Sequence, residues 1–242
     1  MTTFQYHPDI IARFPNTVGG IIIAQNVTNT ATSQELRERY HEEQQAVLRH
    51  IGDSPLSQIP SLVAWRNTFR GFNVDPTQYR SAAEALLRRL TKKGDIPSIN
   101  TLVDIGNLVS IRYALPVAIF DTQKIQGPLT VHFADGTERY IILGQDEVEH
   151  PNVGEVVFTD ETGRVHARRW CWRQSEQSAV QLDTTQILIT VEAHHQAGKH
   201  DVQSALNDLL ALLKSNVGST FTYTVLDTTH ISTESEVLHE VH

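Results

Sequence analysis

The segment Ile99–Asp121, INTLVDIGNLVSIRYALPVAIFD, leaves the folding problem fewer solutions than any other part of the chain. Its first half has helical spacing but is apolar on several sides. Leu102, Ile105 and Val109 lie on one side, and Val103 and Ile111 flank the opposite stripe. Such a helix has to be covered by protein on more than one face. Pro116 then breaks the pattern, and VAIFD reads as a strand. At 100° per residue Asn100, Asp104 and Asn107 share one stripe of the helix. A buried polar group left unpaired costs about 1–3 kcal/mol. Three of them on one stripe therefore either tie the helix to neighbouring backbone or line a cleft, and spacing alone favours the tie.

The remainder of the chain supplies layers to bury that helix. GGIIIAQNV reads as a buried strand after a glycine pair. Thr32 with Glu35 makes a capping-box pattern ahead of a helix that runs to about Arg49. A second helix holds SLVAWRNTFRGF. Ser81 with Glu84 opens a third, which ends on basic residues and Gly94, as suits the negative end of a helix dipole. Pro97 and Ser98 start the helix of the first segment. From Pro116 onward the texture changes to short β-type runs, VAIFD, LTVHF, RYIIL, EVVFTD, VHARRWCW and QILITVEA, with turn signals ADGT and DETG between some of them. An amphipathic helix, DVQSALNDLLALLKSNVG, and a strand, TFTYTVLD, follow. The order predicts an α+β fold, with helices in the N-terminal half and a mixed, mainly antiparallel sheet in the C-terminal half. With no repeat or linker, 242 residues read as one domain over 1–228 and a polar, frayed C-terminal tail over 229–242.

Charge and composition narrow the function. A net charge of −8 argues against a protein held to nucleic acid by bulk charge, so DNA is not an expected partner. A local basic stretch nevertheless offers Arg66, Arg70, Arg88, Arg89, Lys92 and Lys93 as candidate RNA contacts, against a solvated helical surface as the plainer explanation. No apolar run is long enough to span a membrane, and no secretory pattern opens the chain; the expected location is cytoplasmic. The single cysteine, Cys171, lies between two tryptophans and reads as structural rather than nucleophilic. His194, His195 and His200 lack a carboxylate at ligand spacing, so neither a metal nor a cofactor is expected. No phosphate loop, dinucleotide fingerprint or nucleophile elbow is present. In RRWCWRQSE, read as a strand, Arg169, Cys171 and Arg173 face one side and Trp170 and Trp172 the other, with Gln174 and Glu176 following at the strand end.

These residues resemble a known family. IPSINTLVDIGNLVSIRYALPVAIFD is similar to the editing module of bacterial phenylalanyl-tRNA synthetase, formed by the third and fourth domains of its β chain. The matching signature is Pro97, Ile99, Val103-Asp104, Asn107, Pro116 and Phe120-Asp121; a looser likeness extends over Trp65–Ala193. The resemblance implies two interlocked parts with the site in the cleft between them. It implies hydrolysis of tyrosine wrongly attached to a tRNA, and a free-standing version of the module. It implies that the helix carrying Asn100, Asp104 and Asn107 borders the cleft, and that Glu176 matches the glutamate that senses a phenolic hydroxyl. Two positions depart from the family: Ala118 stands where a histidine is usual, and WCWRQS replaces a glycine-rich turn. The expectation is a trans-acting aminoacyl-tRNA deacylase. Asn107 and Arg173 would be its catalytic groups, and Asn100, Asp104, Trp170, Trp172 and Glu176 its substrate contacts. Two alternatives stand beside it: a non-catalytic protein that binds a tRNA end or a small amino-acid-like ligand, and an unrelated small-molecule enzyme on the same fold.

Overall fold

The computed structural model describes residues 2–142, 147–234 and 239–241. Its strands are β1 (Phe4–Tyr6), β2 (Val18–Gln25), β3 (Val117–Asp121), β4 (Leu129–Phe133), β5 (Tyr140–Ile141), β6 (Val148–Glu149), β7 (Val156–Thr159), β8 (Val165–Arg168), β9 (Arg173–Gln174), β10 (Gln186–Ala193), β11 (Thr220–Leu226) and β12 (His239–Val241). Its helices are α1 (Pro8–Arg13), α2 (Gln34–Ile51), α3 (Pro60–Gly71), α4 (Ala82–Lys93), α5 (Thr101–Tyr113) and α6 (Gly198–Asn216). The fold is α+β: most helices precede Pro116 and most strands follow it. Among the described residues no helix is long and apolar enough to cross a membrane.

Two five-stranded sheets organise the chain. The central sheet runs β12-β11-β2-β10-β3 and is antiparallel throughout. The second runs β1-β4-β7-β8-β9, and its β1–β4 pair is parallel. Strand alternation explains how the central sheet serves two cores. Ile22 and Ala24 of β2 and Ile187, Ile189 and Val191 of β10 join the helix-side core, with Leu36 and Val47 of α2, Leu87 of α4, Leu108 of α5 and Leu206 and Leu209 of α6. Ile21, Ile23, Phe120 and Leu188 point the other way, onto Phe4, Leu129, Val131, Val156 and Phe158 of the second sheet and Trp65 and Phe69 of α3. A strand buried on both faces reads as an unbroken apolar run, which is why GGIIIAQNV shows no alternation.

α5, the helix of the opening segment, lies between α2, α6 and the central sheet. Gly106 lets it approach β3: a Cβ there would sit 3.1 Å from the Ile119 side chain. At its C-terminal end Arg112 pairs with Glu43 on α2 and with Asp208 on α6. The helix starts at Asn100, whose side chain accepts from Val103 N at 3.0 Å, and not at Pro97. The α2 cap also shifts by one residue. Ser33 accepts from Leu36 N, because the Thr32 hydroxyl is committed to Asp104. The tail is held where it is described. Tyr6 N donates to Ile231 O, Thr233 N donates to Phe4 O, and β12 pairs with β11. Tyr6 and Phe4 lie more than two hundred residues from their partners along the chain, beyond what a local reading of a polar segment reaches.

Candidate functional site

The strand expected over VHARRWCW stops at Arg168, and residues 169–172 make a tight turn into β9. Arg169 and Trp170 both hold left-handed backbone, at φ 46° and 62°. Positions of that kind cost on the order of 1–3 kcal/mol each and persist only where the surroundings fix them. Here Trp170 N donates to Val156 O at 2.7 Å, and Arg169 N donates to the Glu155 carboxylate. Arg168 grips the same carboxylate with two nitrogens. The two tryptophans therefore do not share a face. Trp170 is fully buried and packs edge-on against Trp65, Phe14 and His194. Trp172 stays half-buried at the surface beside Tyr79, with the Arg169 and Arg173 guanidinium groups over its ring at 4.4 and 4.6 Å.

The inward turn of Trp170 brings its indole N–H to Glu192 of β10, at 2.9 Å from Oε1. The Tyr6 hydroxyl donates to the same oxygen at 2.7 Å. Glu192 lies opposite Gly19 in the β2–β10 register. A Cβ on Gly19 would stand 2.1 Å from the Tyr6 hydroxyl, so the glycine is what allows the phenol to reach the carboxyl. Burial pushes the Glu192 carboxyl up to about 7, and the bonds from Trp170 and Tyr6 only partly offset that effect. Burial, then the neighbouring Glu192, holds the Cys171 thiol well above its ordinary range, so it remains a thiol and a poor nucleophile. Burial and the adjacent His195 take His194 down to about 3, leaving a neutral ring packed between Trp65 and Trp170.

Glu192 is one wall of a cavity of about 70 Å³ between the two sheets. Ala118 of β3, Thr190, Cys171, Trp172, Arg173 and Gln174 are others. Gln174 is fixed there by donating to Ile119 O and Ser178 O. Glu192 was not anticipated from the sequence. The available signal was its place in QILITVEA, where Leu188, Thr190 and Glu192 share the face away from the helices.

Of the expected site residues, Trp170, Trp172 and Arg173 come together around this cavity. The stripe on α5 stands across the central sheet from it. Asn100 caps the helix. Asp104 is fully buried and accepts from Thr32 Oγ1 at 2.6 Å, from Ile99 N at 2.9 Å and from the Ser98 hydroxyl. Asn107 is half-buried near the Tyr40 hydroxyl of α2. Glu176 is exposed in the short turn after β9 and does not line the cavity. In the basic stretch, Glu84 gathers the charge. Arg66 binds it with two nitrogens at 2.9 and 2.8 Å, and Arg88 binds it at 2.8 Å. Arg70 bonds to Asn67, while Arg89, Lys92 and Lys93 are exposed along the outer side and C-terminal end of α4. In the histidine run, His195 pairs with Asp201 at 2.8 Å.

Residues 64–218 match a family model described as the B3/4 domain. The phenylalanine–tRNA ligase β subunit of Brucella abortus is 42% identical over 65 residues, covering 27% of this chain and 8% of that subunit. The β subunit of Aquifex aeolicus is 33% identical over 81 residues, covering 34% of this chain and 10% of that subunit. The β subunit of Bordetella pertussis is 28% identical over 122 residues, covering 50% of this chain and 15% of that subunit. The chain thus spans at most 15% of the length of these three relatives. A solved N-terminal fragment of the phenylalanyl-tRNA synthetase β subunit from Pyrococcus horikoshii aligns with 91% of this chain and 50% of its own, at 14% identity and a TM-score of 0.47. The family model covers well over half of the residues, and the chain belongs to the B3/4 domain family.

Proposed function

We propose that the chain is an editing-type hydrolase that cleaves the ester between an amino acid and the terminal ribose of a mischarged tRNA, acting in trans. The observation that carries this reading is the cavity between the sheets. Position 118, where the synthetase module usually carries a histidine, lines it together with Trp170, Trp172 and Arg173. Ester hydrolysis needs an oriented carbonyl and a placed water more than a strong nucleophile, which fits a site whose cysteine is held as a thiol. Size then sets specificity. A cavity of about 150 Å³ admits benzene, and this one is about 70 Å³. That size suits a small or polar side chain better than a tyrosyl ring. Arg173, exposed at the rim, is suited to an oxygen-rich group of the substrate.

The test is initial-rate deacylation of a panel of misacylated tRNAs by the wild type and Arg173→Ala. The expected result is hydrolysis of a small or polar aminoacyl ester, none of tyrosyl-tRNA, and a roughly tenfold loss in the variant at unchanged thermal stability, since a rim arginine contributes little to folding. Robust tyrosyl-tRNA cleavage unaffected by the substitution would show the turn to be irrelevant to specificity. Ala118 in place of the histidine favours the second reading, a non-catalytic binder of a tRNA end or a small amino-acid-like ligand. Binding of the tRNAs without cleavage of any would establish that reading instead.

RNA contact would fall to Arg70, Arg89, Lys92 and Lys93, because Arg66 and Arg88 are turned onto Glu84. Neutral replacement of Arg89, Lys92 and Lys93 together is expected to lower the slope of log affinity against log salt by about 2–3. Arg66→Gln is expected to leave the slope unchanged and to lower stability. Equal slopes for wild type and triple variant would remove α4 from the RNA contact.

A further inference from the structure

Hydrolysis of the ester requires a group that activates the attacking water. We propose that Glu192 is the general base that takes a proton from the water attacking the ester carbonyl in the cavity between the sheets. The assignment rests on the deacylase reading and adds to it a residue that the motif resemblance did not reach.

The geometry points to Glu192 in three ways. Its side chain lines the cavity although the residue is only 2% exposed overall. Both of its hydrogen bonds, from Tyr6 and Trp170, fall on Oε1, and no described side chain donates to Oε2. The carboxyl is therefore held rigidly by one oxygen while the other is left for what enters the cavity, the arrangement a general base requires. The remaining titratable groups around it do not compete. Tyr6 is kept a phenol by burial, and the Glu192 charge adds to that. Cys171, at the start of the turn's return, is kept a thiol by burial. His194 lies beyond the Trp170 ring and is neutral. Arg173, exposed at the rim, supplies a charge that favours the oxyanion rather than the base.

A water O–H breaks and its proton passes to Glu192 Oε2, while the water oxygen bonds to the ester carbon. The carbonyl becomes an oxyanion facing Arg173. Collapse of this intermediate breaks the bond to the ribose oxygen, which receives the proton from Glu192. The products are a free amino acid and a tRNA with its terminal hydroxyl restored, and no oxidant or cofactor is consumed.

The test follows deacylation of whichever misacylated tRNA the wild type cleaves, across pH 5–9 after subtraction of spontaneous hydrolysis. Wild-type rate is expected to rise tenfold per pH unit and level near neutrality. Glu192→Gln keeps an oxygen for Tyr6 and Trp170, and is expected to lower the rate at least 100-fold and to abolish the inflection. Its affinity for an amide-linked, uncleavable aminoacyl-tRNA should be unchanged. Tyr6→Phe removes one bond to the ionised carboxylate and is expected to move the inflection upward by on the order of one unit. A packing role for either residue would not move it. If the wild type cleaves and Glu192→Gln stays within threefold with the same pH profile, the assignment is overturned and the deacylase reading stands. If the wild type cleaves no ester, both fall together.

Discussion

Asp104→Ala is expected to lower the stability of the fold by about 4 kcal/mol, measured by urea denaturation at neutral pH. The carboxylate is fully buried and accepts from three donors that come from two separate loops. Thr32 lies just before α2, and Ser98 and Ile99 lie on the approach to α5. Alanine removes the acceptor of all three donors, the Thr32 hydroxyl in a buried site and the Ser98 and Ile99 donors in partly buried ones, and each stranded donor costs about 1–3 kcal/mol. Asparagine repairs little, because its amide offers one acceptor oxygen and sets its NH₂ against further donors. Asn107→Ala, on the same stripe but half-buried, is expected to stay within about 1 kcal/mol of wild type. A loss under about 1 kcal/mol for Asp104→Ala would show that the loops are held by something other than this carboxylate.

The second large effect is the loss, as pH rises, of the stability that the Glu192 site contributes. The Glu192 carboxyl titrates near 7 in the folded chain against an ordinary value of 4.5. Between these values the native state binds more protons than the unfolded one, so each pH unit costs about 1.4 kcal/mol. The contribution is complete below pH 4.5 and is lost by pH 7, a swing of about 3 kcal/mol. Glu84, Asp160 and Asp227 run the opposite way, being held below the ordinary carboxylate range, but their stability is lost only as the solution becomes more acidic than that range. His194, held down to about 3 in the fold, gains stability over part of the same window, so the readout is the difference between two proteins that share it. Between pH 5 and pH 8 the wild type should lose about 2–3 kcal/mol relative to Glu192→Gln, measured by urea denaturation. The variant should be the more stable protein at pH 8 while being the poorer catalyst, as expected where a site holds a charge that the fold resists. Parallel pH dependence in the two proteins would mean that the carboxyl is already charged at pH 5.

Much of the fold was legible because its signals are local. Ser81, Glu84 and Gly94 bound α4 as their residue types require: Ser81 accepts from Glu84 N, and Gly94 takes the left-handed position at φ 82°. The strands VAIFD, LTVHF and QILITVEA are observed at those positions. β1 and α1 were missed, since three and six residues are too short for a period to register. Glu84 also departs from its box: its carboxylate turns to Arg66 and Arg88 rather than back to the cap, because two guanidinium groups outbid one backbone N–H.

The sequence by itself determined most of the elements, the α+β order, the family through the motif around α5, and a departure from that family at WCWRQS. Tertiary structure decided what the polar residues of those motifs do. Periodicity put Asn100, Asp104 and Asn107 on one stripe, but whether a stripe is a joint or a cleft depends on what packs against it, and Asp104 met Thr32 from 72 residues away. The turn was invisible because arginine and tryptophan carry no preference for left-handed backbone; the Glu155 carboxylate and the Val156 carbonyl impose it. Glu192 became a site only through Tyr6, 186 residues earlier in the chain, and through Gly19, whose missing side chain lets the phenol pass. Local spacing cannot encode partners at such separations, because their meeting follows from how two sheets share one strand's two faces.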